Sequence, residues 1–341
     1  MSNTESTKRI PAIEAFRFLS IIQICIWHFS VPCIDAGFLG VEFFFVLTGF
    51  FMYRDATKRH ALGITDYSIK KMSKFLCKYI LAVWGGYLIF MPSVIQDFYS
   101  DWLHTLLHLI GQILMIQGFG IFSDSSSINP PLWFFSVMIW GGAIVYGLIR
   151  YYTRLSLICL FPIACILFFS FVSFGPNERF ETWEVIGGFP IPLVRGICEM
   201  AYGVIIGCIV LNYASEIEKK VRMLNLISII AIVLYIAIVI SNRQDAIYSM
   251  IFIPCIISSC YIRSSFIAKL FSSKVWLYLG RLSYDIFVIH YLLIALIRHF
   301  IHVEMGVNIF YSAILFYVIQ IPCAVLFDKG AKSIDSLITG R

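Results

Sequence analysis

The stretch MLNLISIIAIVLYIAIVIS, residues 223–241, contains no charged side chain over 19 positions. About 20 consecutive apolar residues allow a helix to cross the hydrocarbon core of a bilayer. Ten further apolar runs are spread along the chain of 341 residues, of which 60% are hydrophobic and only 13% charged. A soluble domain has about 25% charged residues. The composition therefore predicts a polytopic helical membrane protein and excludes both a soluble enzyme and a disordered chain.

The linkers between these runs differ in charge, which predicts the side of the membrane on which each one lies. By the positive-inside rule, linkers rich in Lys and Arg face the cytoplasm. Lys8 and Arg9 precede the first run and the tail after Asp328 is basic, so both termini are predicted to be cytoplasmic. The apolar runs are 12–32, 39–53, 75–95, 104–121, 132–149, 155–174, 189–211, 223–241, 246–262, 275–297 and 307–327.

Eleven crossings would place the two ends on opposite sides, so one run must fail to cross. The run 104–121 is short and carries His104 and His108, and we predict that it lies in the outer interface or re-enters from that side. The predicted fold is all-α, with about ten transmembrane helices plus one interfacial or re-entrant helix. Its parts are a cytoplasmic tail at 1–11, an integral-membrane domain at 12–327 and a cytoplasmic tail at 328–341.

Ionisable residues in the first run are the leading functional candidates, because a charge in the bilayer costs about 2.5–3.5 kcal/mol on insertion scales. Arg17 and His28 are eleven residues apart. Over eleven residues a helix rotates by about 1100°, which is within about 20° of three full turns, so the two residues share one helix face. The rise between them is about 16 Å. Glu14 lies one turn before Arg17 and is predicted to pair with it. This face is compatible with a long anionic ligand that enters a channel from the cytoplasm, or with an interfacial ion pair and a packed histidine.

Two further carboxylates and an arginine lie inside predicted spans. Glu42 begins the second span at about the depth of His28, where it either supports the imidazole or faces the outer interface. Arg195 and Glu199 are four residues apart and either neutralise each other or let Arg195 bind phosphate or a sugar.

The late span 275–297 carries a second group of polar residues. His290 follows Ser283 and Tyr284 by two turns, and is either a second catalytic group or a core histidine. Asp285 is four residues after Arg281 and is expected to pair with it.

Four stretches of the chain together carry a resemblance to a known family. The first stretch contains an Arg and a His separated by ten residues, and the second contains a Gly-Val-acidic-Phe-Phe run that ends in Gly-Phe. The third contains a Pro-x-x-Trp segment, and the fourth contains a Ser-Tyr…His stretch late in the chain. These are RIPAIEAFRFLSIIQICIWHFS (9–30), GFLGVEFFFVLTGFFMYR (37–54), NPPLWFFSV (129–137) and LGRLSYDIFVIH (279–290). In this order they resemble the acyltransferase-3 family of membrane-bound acyltransferases, which O-acylate polysaccharides and other glycans.

The resemblance implies an enzyme of the inner (cytoplasmic) membrane that moves an acyl group, most often acetyl, from acyl-CoA to a hydroxyl of a glycan or glycolipid. It makes His28 and Glu42 the expected catalytic residues. Arg17, with Glu14 and Arg195, is expected to bind the donor. Five further residues are expected to contact the acceptor or to support the catalytic groups: Trp133, Ser283, Tyr284, His290 and Glu199. The alternative for Trp133 is a place in an aromatic belt at the membrane surface.

The co-substrate acetyl-CoA, the glycan or glycolipid acceptor and the lipid bilayer are the expected partners. No permanently bound cofactor, metal site or nucleic-acid partner is expected. Two other readings stay open: a transporter or exporter of an envelope component, whose charged residues line a substrate path, and an acyltransferase for a small-molecule acceptor. A transporter would more often show repeated halves with broken helices.

Overall fold

The computed structural model describes residues 9–30, 36–120, 128–174, 185–186, 189–240 and 248–340. Almost all of this backbone is helical. The strands in the described part are Val185–Ile186 and Phe189–Pro190, which form one antiparallel pair in which Val185 lies opposite Pro190. Most of the predicted N-terminal tail, residues 1–8, and the serine run 123–127 lie outside the described residues.

The α-helices of five or more residues, numbered along the chain, account for nearly every apolar run of the sequence. They are α1 Pro11–His28, α2 Leu39–Thr57, α3 Ile64–Ile89, α4 Met91–Ser100, α5 Trp102–Ile113, α6 Trp133–Tyr151, α7 Phe161–Phe174, α8 Ile191–Asn212, α9 Ala214–Lys219, α10 Val221–Ile240, α11 Ser249–Tyr261, α12 Phe266–Leu270, α13 Lys274–Ile297 and α14 Ile309–Thr339. A π-helix at Ser156–Leu160 leads into α7, and another at Arg298–Glu304 follows α13.

Local signals in the sequence explain where several of these helices begin. Pro11 occupies the first position of α1, where its missing N–H is not needed. Ser273 and Asn308 precede α13 and α14, and their side chains accept hydrogen bonds from Val275 and Phe310. These caps fix the start of the two helices that pack beside each other at the C-terminal end of the chain.

Six helical segments of the described chain are long and apolar enough to cross a membrane. They are Pro130–Tyr151, Thr153–Ser170, Ile191–Asn212, Val221–Ile240, Lys274–Glu304 and Ile309–Ile338. The chain is thus a multi-pass membrane protein, while the figure of about ten spans and the side of the termini stay predictions. Helix α5 has 12 residues and rises only about 18 Å, too short to cross the core. Helix α14 extends to Thr339, so residues predicted to form a tail continue the last helix.

Two helix pairs form the centre of the structure: α2 packs against α8, and α1 packs against α13. The α2–α8 pair approaches closely at glycines, since a Cβ on Gly49 would lie 1.9 Å from the Met200 carbonyl oxygen. In the other pair, a Cβ on Gly280 would lie 2.4 Å from the Cβ of Glu14. Small residues at helix contacts are typical of membrane proteins. These contacts bring the polar residues of α1, α2, α8 and α13 into the interior.

Candidate active site

A basic cavity lies at the N-terminal end of α1, and we call it the inner cavity. It has a volume of about 300 Å³ and is walled by α1, α2, α3, α6 and α13. Five cations and two carboxylates line it, an excess of three positive charges that favours an anionic ligand. These residues are Arg9, Arg17, Arg54, Lys71, Lys74, Glu14 and Asp55.

The predicted pairing of Glu14 with Arg17 is confirmed. Nη1 of Arg17 donates to both carboxylate oxygens of Glu14, at 3.2 Å and 3.1 Å. Glu14 is buried and also lies 3.8 Å from Arg9. Within the described residues, Nε and Nη2 of Arg17 have no hydrogen bond. The carboxylate therefore orients the guanidinium and leaves part of its planar fork facing the cavity.

Lys71 lies before the apolar run 75–95, outside the part of α3 that is predicted to cross the membrane. Burial lowers the pKa of Lys71 to about 8, and repulsion from Lys74 acts in the same direction. A phosphate or another anion beside such a lysine stabilises its protonated form, so that binding of the anion is favoured. The lowered pKa of Lys71 and the excess of positive charge therefore both favour an anionic ligand in the inner cavity.

Polar groups on α13 complete the wall of the inner cavity. The hydroxyl of Ser283 donates to the carbonyl of Gly280 at 2.7 Å, and the hydroxyl of Tyr284 donates to the carbonyl of Phe75 at 3.2 Å. Both residues lie at this cavity, as Arg17 does, while His290 lies about two turns beyond them along α13. The structure thus groups Ser283 and Tyr284 with Arg17 at the inner cavity.

A second cavity lies at the C-terminal end of α1, and we call it the outer cavity. Its volume is about 520 Å³, and His28 is among its lining residues. The His28 ring lies 4.5 Å from Trp27, 5.2 Å from His290 and 5.6 Å from Tyr291, measured between ring centroids. His290 therefore lies beside His28 and is itself buried, a contact that the sequence analysis did not predict.

Three phenylalanines that contact one another line the inner cavity, and we call them the aromatic partition: Phe44, Phe134 and Phe287. Their ring centroids are 5.2 Å to 6.5 Å apart, and all three line the inner cavity. Phe287 also contacts His290, at 5.6 Å.

One open channel from Arg17 to His28 stays a prediction. The inner and outer cavities share no lining residue. Arg17 and His28 lie on the same helix and line different cavities. Phe287 is the ring of the aromatic partition that joins the two regions, since it lines the inner cavity and contacts His290, the neighbour of His28.

The expected position of Glu42 beside His28 is corrected by the structure. Among the described residues, the ion-pair partner of Glu42 is Arg195. Nε of Arg195 lies 3.2 Å from Glu42 and 3.1 Å from Glu199, and all three side chains are buried. The close α2–α8 contact explains this pairing, because it brings the two helices together where these residues lie.

Arg195 and Trp133 therefore belong to one buried cluster. The Arg195 guanidinium lies 5.7 Å from the centre of the Trp133 ring, and Trp133 itself is buried. Neither residue lines the inner or the outer cavity. The predicted Arg195–Glu199 pair is confirmed, whereas Trp133 lies inside the protein and does not form a belt at the membrane surface.

The expected pair of Asp285 with Arg281 is also corrected. Asp285 is buried and forms its ion pair with Lys78 of α3. Nζ of Lys78 also lies 2.6 Å from Asp328 of α14, whereas Arg281 packs on the ring of Tyr278. Lys78 thus links α3, α13 and α14 next to Tyr284. Sequence spacing could not show this, because Lys78 and Asp285 are 207 residues apart.

The fold and these cavities define an integral-membrane protein with its polar groups inside a helical bundle. The profile of the acyltransferase-3 family, described as an acyltransferase domain, matches residues 10–327, so the chain belongs to that family. The resemblance drawn from the four sequence stretches is thereby confirmed.

Curated relatives are similar over most of this chain. The peptidoglycan O-acetyltransferase OatA of Listeria monocytogenes is 23% identical over 318 residues, which is 85% of this chain and 50% of that protein. The O-acetyltransferase OatA of Staphylococcus aureus is 22% identical over 345 residues, 91% of this chain and 55% of that protein. The putative peptidoglycan O-acetyltransferase YrhL of Bacillus subtilis is 20% identical, over 86% of this chain and 50% of that protein.

The chain spans about half the length of these relatives. No solved structure matches it.

Proposed function

We propose that the chain is an integral-membrane O-acyltransferase that moves an acetyl group from acetyl-CoA to a hydroxyl of a cell-envelope glycan or glycolipid in the cytoplasmic membrane. The observation that carries this proposal is the arrangement along α1, with a basic cavity at Arg17 and a histidine cavity at His28. Family membership and the O-acetyltransferase names of the relatives agree with it.

The inner cavity is the proposed site for the nucleotide end of the donor. Its excess positive charge matches the phosphates of coenzyme A, and the fork of Arg17, oriented by Glu14, is suited to a phosphate. The pantetheine arm is long and mostly uncharged, which suits the phenylalanine side chains at the inner end of the aromatic partition. When these rings rotate aside, the thioester reaches the His28 side.

The transfer itself is proposed to occur in the outer cavity. His28 takes the proton of the acceptor hydroxyl while that oxygen attacks the thioester carbonyl, which forms the new C–O bond. The C–S bond then breaks, and coenzyme A leaves as a thiolate that is protonated to the thiol. A general base of this kind contributes about 10²–10⁴-fold to the rate. A route through an acetyl group held covalently on His28 uses the same residues.

The test is transfer from radiolabelled acetyl-CoA to an acceptor glycan by the purified protein in lipid nanodiscs. His28→Ala is expected to reduce transfer by about 10²–10⁴-fold while the amount of folded protein is unchanged. His299→Ala is the matched control, because His299 is exposed, pairs with Glu304 and does not line the outer cavity.

Full activity of His28→Ala would remove His28 from the chemistry. Movement of an intact envelope component by the protein without acetyl transfer would favour an exporter instead. Arg17→Lys keeps the charge but loses the planar fork, so it is expected to raise KM for acetyl-CoA by about tenfold with little change in kcat.

A further inference from the structure

The outer cavity contains one permanently charged side chain that the proposed reaction does not use, Arg298. From α13 and the residue that follows it, the cavity is lined by Tyr291, Ile294, Ala295 and Arg298. These positions are spaced i, i+3, i+4 and i+7, so they form one face of the helix. Arg298 is two turns, about 10 Å along the axis, beyond Tyr291, which contacts His28.

Arg298 is exposed, so its guanidinium is open to a ligand in the outer cavity. In the part of the chain that the structure describes, it forms no salt bridge, and Glu304, the nearest acidic residue after it, pairs with His299 at 3.1 Å. An interaction with free carbonyls at the end of α13 does not account for it either, because the helical backbone continues through the π-helix Arg298–Glu304. Arg298 also lies at the start of a linker that is predicted to face away from the cytoplasm, where the positive-inside rule predicts few Lys and Arg residues.

The rest of the outer cavity has the character of a site for a sugar. Trp27 and Tyr291 flank His28, with ring centroids at 4.5 Å and 5.6 Å from the imidazole, and both side chains are half-buried. Such rings present an apolar face for the C–H side of a sugar and a polar edge for its hydroxyls. The cavity therefore combines aromatic surfaces, the proposed base and, further out, a guanidinium.

We propose that Arg298 binds an anionic group of the acceptor, a carboxylate or a phosphate carried by the glycan, about two helical turns from the hydroxyl that His28 activates. The inference rests on the proposed function, because it takes the acceptor to be a glycan. An oxyanion with two free oxygens matches the planar fork of an arginine. Binding at this distance orients the sugar and selects acidic glycans over neutral ones.

The experiment measures binding of acceptor probes to the full-length chain in nanodiscs without donor, by isothermal titration calorimetry. The probes are neutral chitotetraose, a tetrasaccharide of alternating N-acetylglucosamine and N-acetylmuramic acid, which adds carboxylates to the same backbone, and chitotetraose 1-phosphate. We expect at least one anionic probe to bind about tenfold more tightly than chitotetraose. Which of the two does so identifies the source of the anionic group.

Arg298→Gln is expected to remove this preference, leaving the affinity for chitotetraose unchanged, and Arg298→Lys is expected to retain part of it. Arg281→Gln is the matched control, since Arg281 is an exposed arginine at the other end of α13 and lines neither cavity. Equal affinity of the unmodified protein for all three probes, or no binding of any, overturns the inference, as does a preference that survives Arg298→Gln.

Acetyl transfer in the same nanodiscs separates this inference from the proposed function. An anion preference that depends on Arg298, without any acetyl transfer, supports the binding site and refutes the enzymatic proposal. Acetyl transfer with no anion preference supports the enzymatic proposal and refutes the anion-binding site at Arg298.

Discussion

His28 and His290 face each other where α1 packs on α13, with ring centroids 5.2 Å apart. Nδ1 of His290 lies 2.7 Å from the carbonyl oxygen of Phe287, and because a carbonyl oxygen only accepts, this nitrogen carries the proton. Nε2 of the neutral ring is then an acceptor. It is buried and has no hydrogen-bond partner among the described residues. His290 is thus held in one tautomer beside the proposed base.

His290→Ala is therefore expected to lower kcat by about 10²-fold and to leave KM for acetyl-CoA unchanged, because His290 does not line the inner cavity, the proposed donor site. Steady-state kinetics with varied donor concentration measure both constants. His290→Asn keeps a side-chain donor for the Phe287 carbonyl and should recover part of kcat. A change in KM alone would show that His290 acts through donor binding or through the fold.

The aromatic partition predicts a different defect. Phe287→Ala should connect the two cavities, so that water reaches the thioester and acetyl-CoA is hydrolysed without an acceptor. Release of the coenzyme A thiol in the absence of glycan measures this reaction. The substitution should also cost about 3–5 kcal/mol of stability, because Phe287 is buried.

Phe316→Ala separates these two effects. Phe316 is fully buried against Phe29 and lines neither cavity, so its loss should lower stability in the same way without hydrolysis. Equal rates of thiol release in the two variants would mean that Phe287 does not close a path between the cavities.

The parts of the site that lie along one helix could be predicted from the sequence. The i,i+3 spacing of Glu14 and Arg17 gave their pairing, since helix geometry alone determines which residues are neighbours. The same spacing argument paired Arg195 with Glu199. It was wrong for Asp285 and Arg281, because a partner from another helix, Lys78, competes for the carboxylate.

Contacts between distant helices could not be predicted in this way. Glu42 and Arg195 are 153 residues apart, and their pairing depends on the glycine contacts that join α2 to α8. The aromatic partition was missed for another reason. The chain has 31 phenylalanines, and nothing in their spacing distinguishes the three that meet at the inner cavity from those that fill the core.

The buried cluster of Arg195, Glu42 and Glu199 is predicted to stabilise the fold and not to bind donor. Arg195→Met leaves two buried carboxylates without their cation, which should cost about 3–5 kcal/mol and lower Tm in a thermal-shift measurement. The folded fraction should keep its KM for acetyl-CoA. The triple variant Arg195→Met, Glu42→Gln, Glu199→Gln removes all the charges and should recover part of Tm. A selective rise in KM for donor would instead place Arg195 in the donor site.

Donor binding is predicted to weaken above pH 8, because of Lys71. The pKa of Lys71 is lowered to about 8 by burial and by Lys74, so the free protein loses this charge as the pH rises through that value. Phosphates in the inner cavity favour the protonated amine, and binding above pH 8 must then take up a proton. KM for acetyl-CoA should rise by up to about tenfold per pH unit in this range. Lys71→Arg should remove the dependence, since arginine stays charged, whereas Lys70→Arg, at an exposed position outside the cavity, should not. The same pH profile in all three proteins would show that another group controls donor binding.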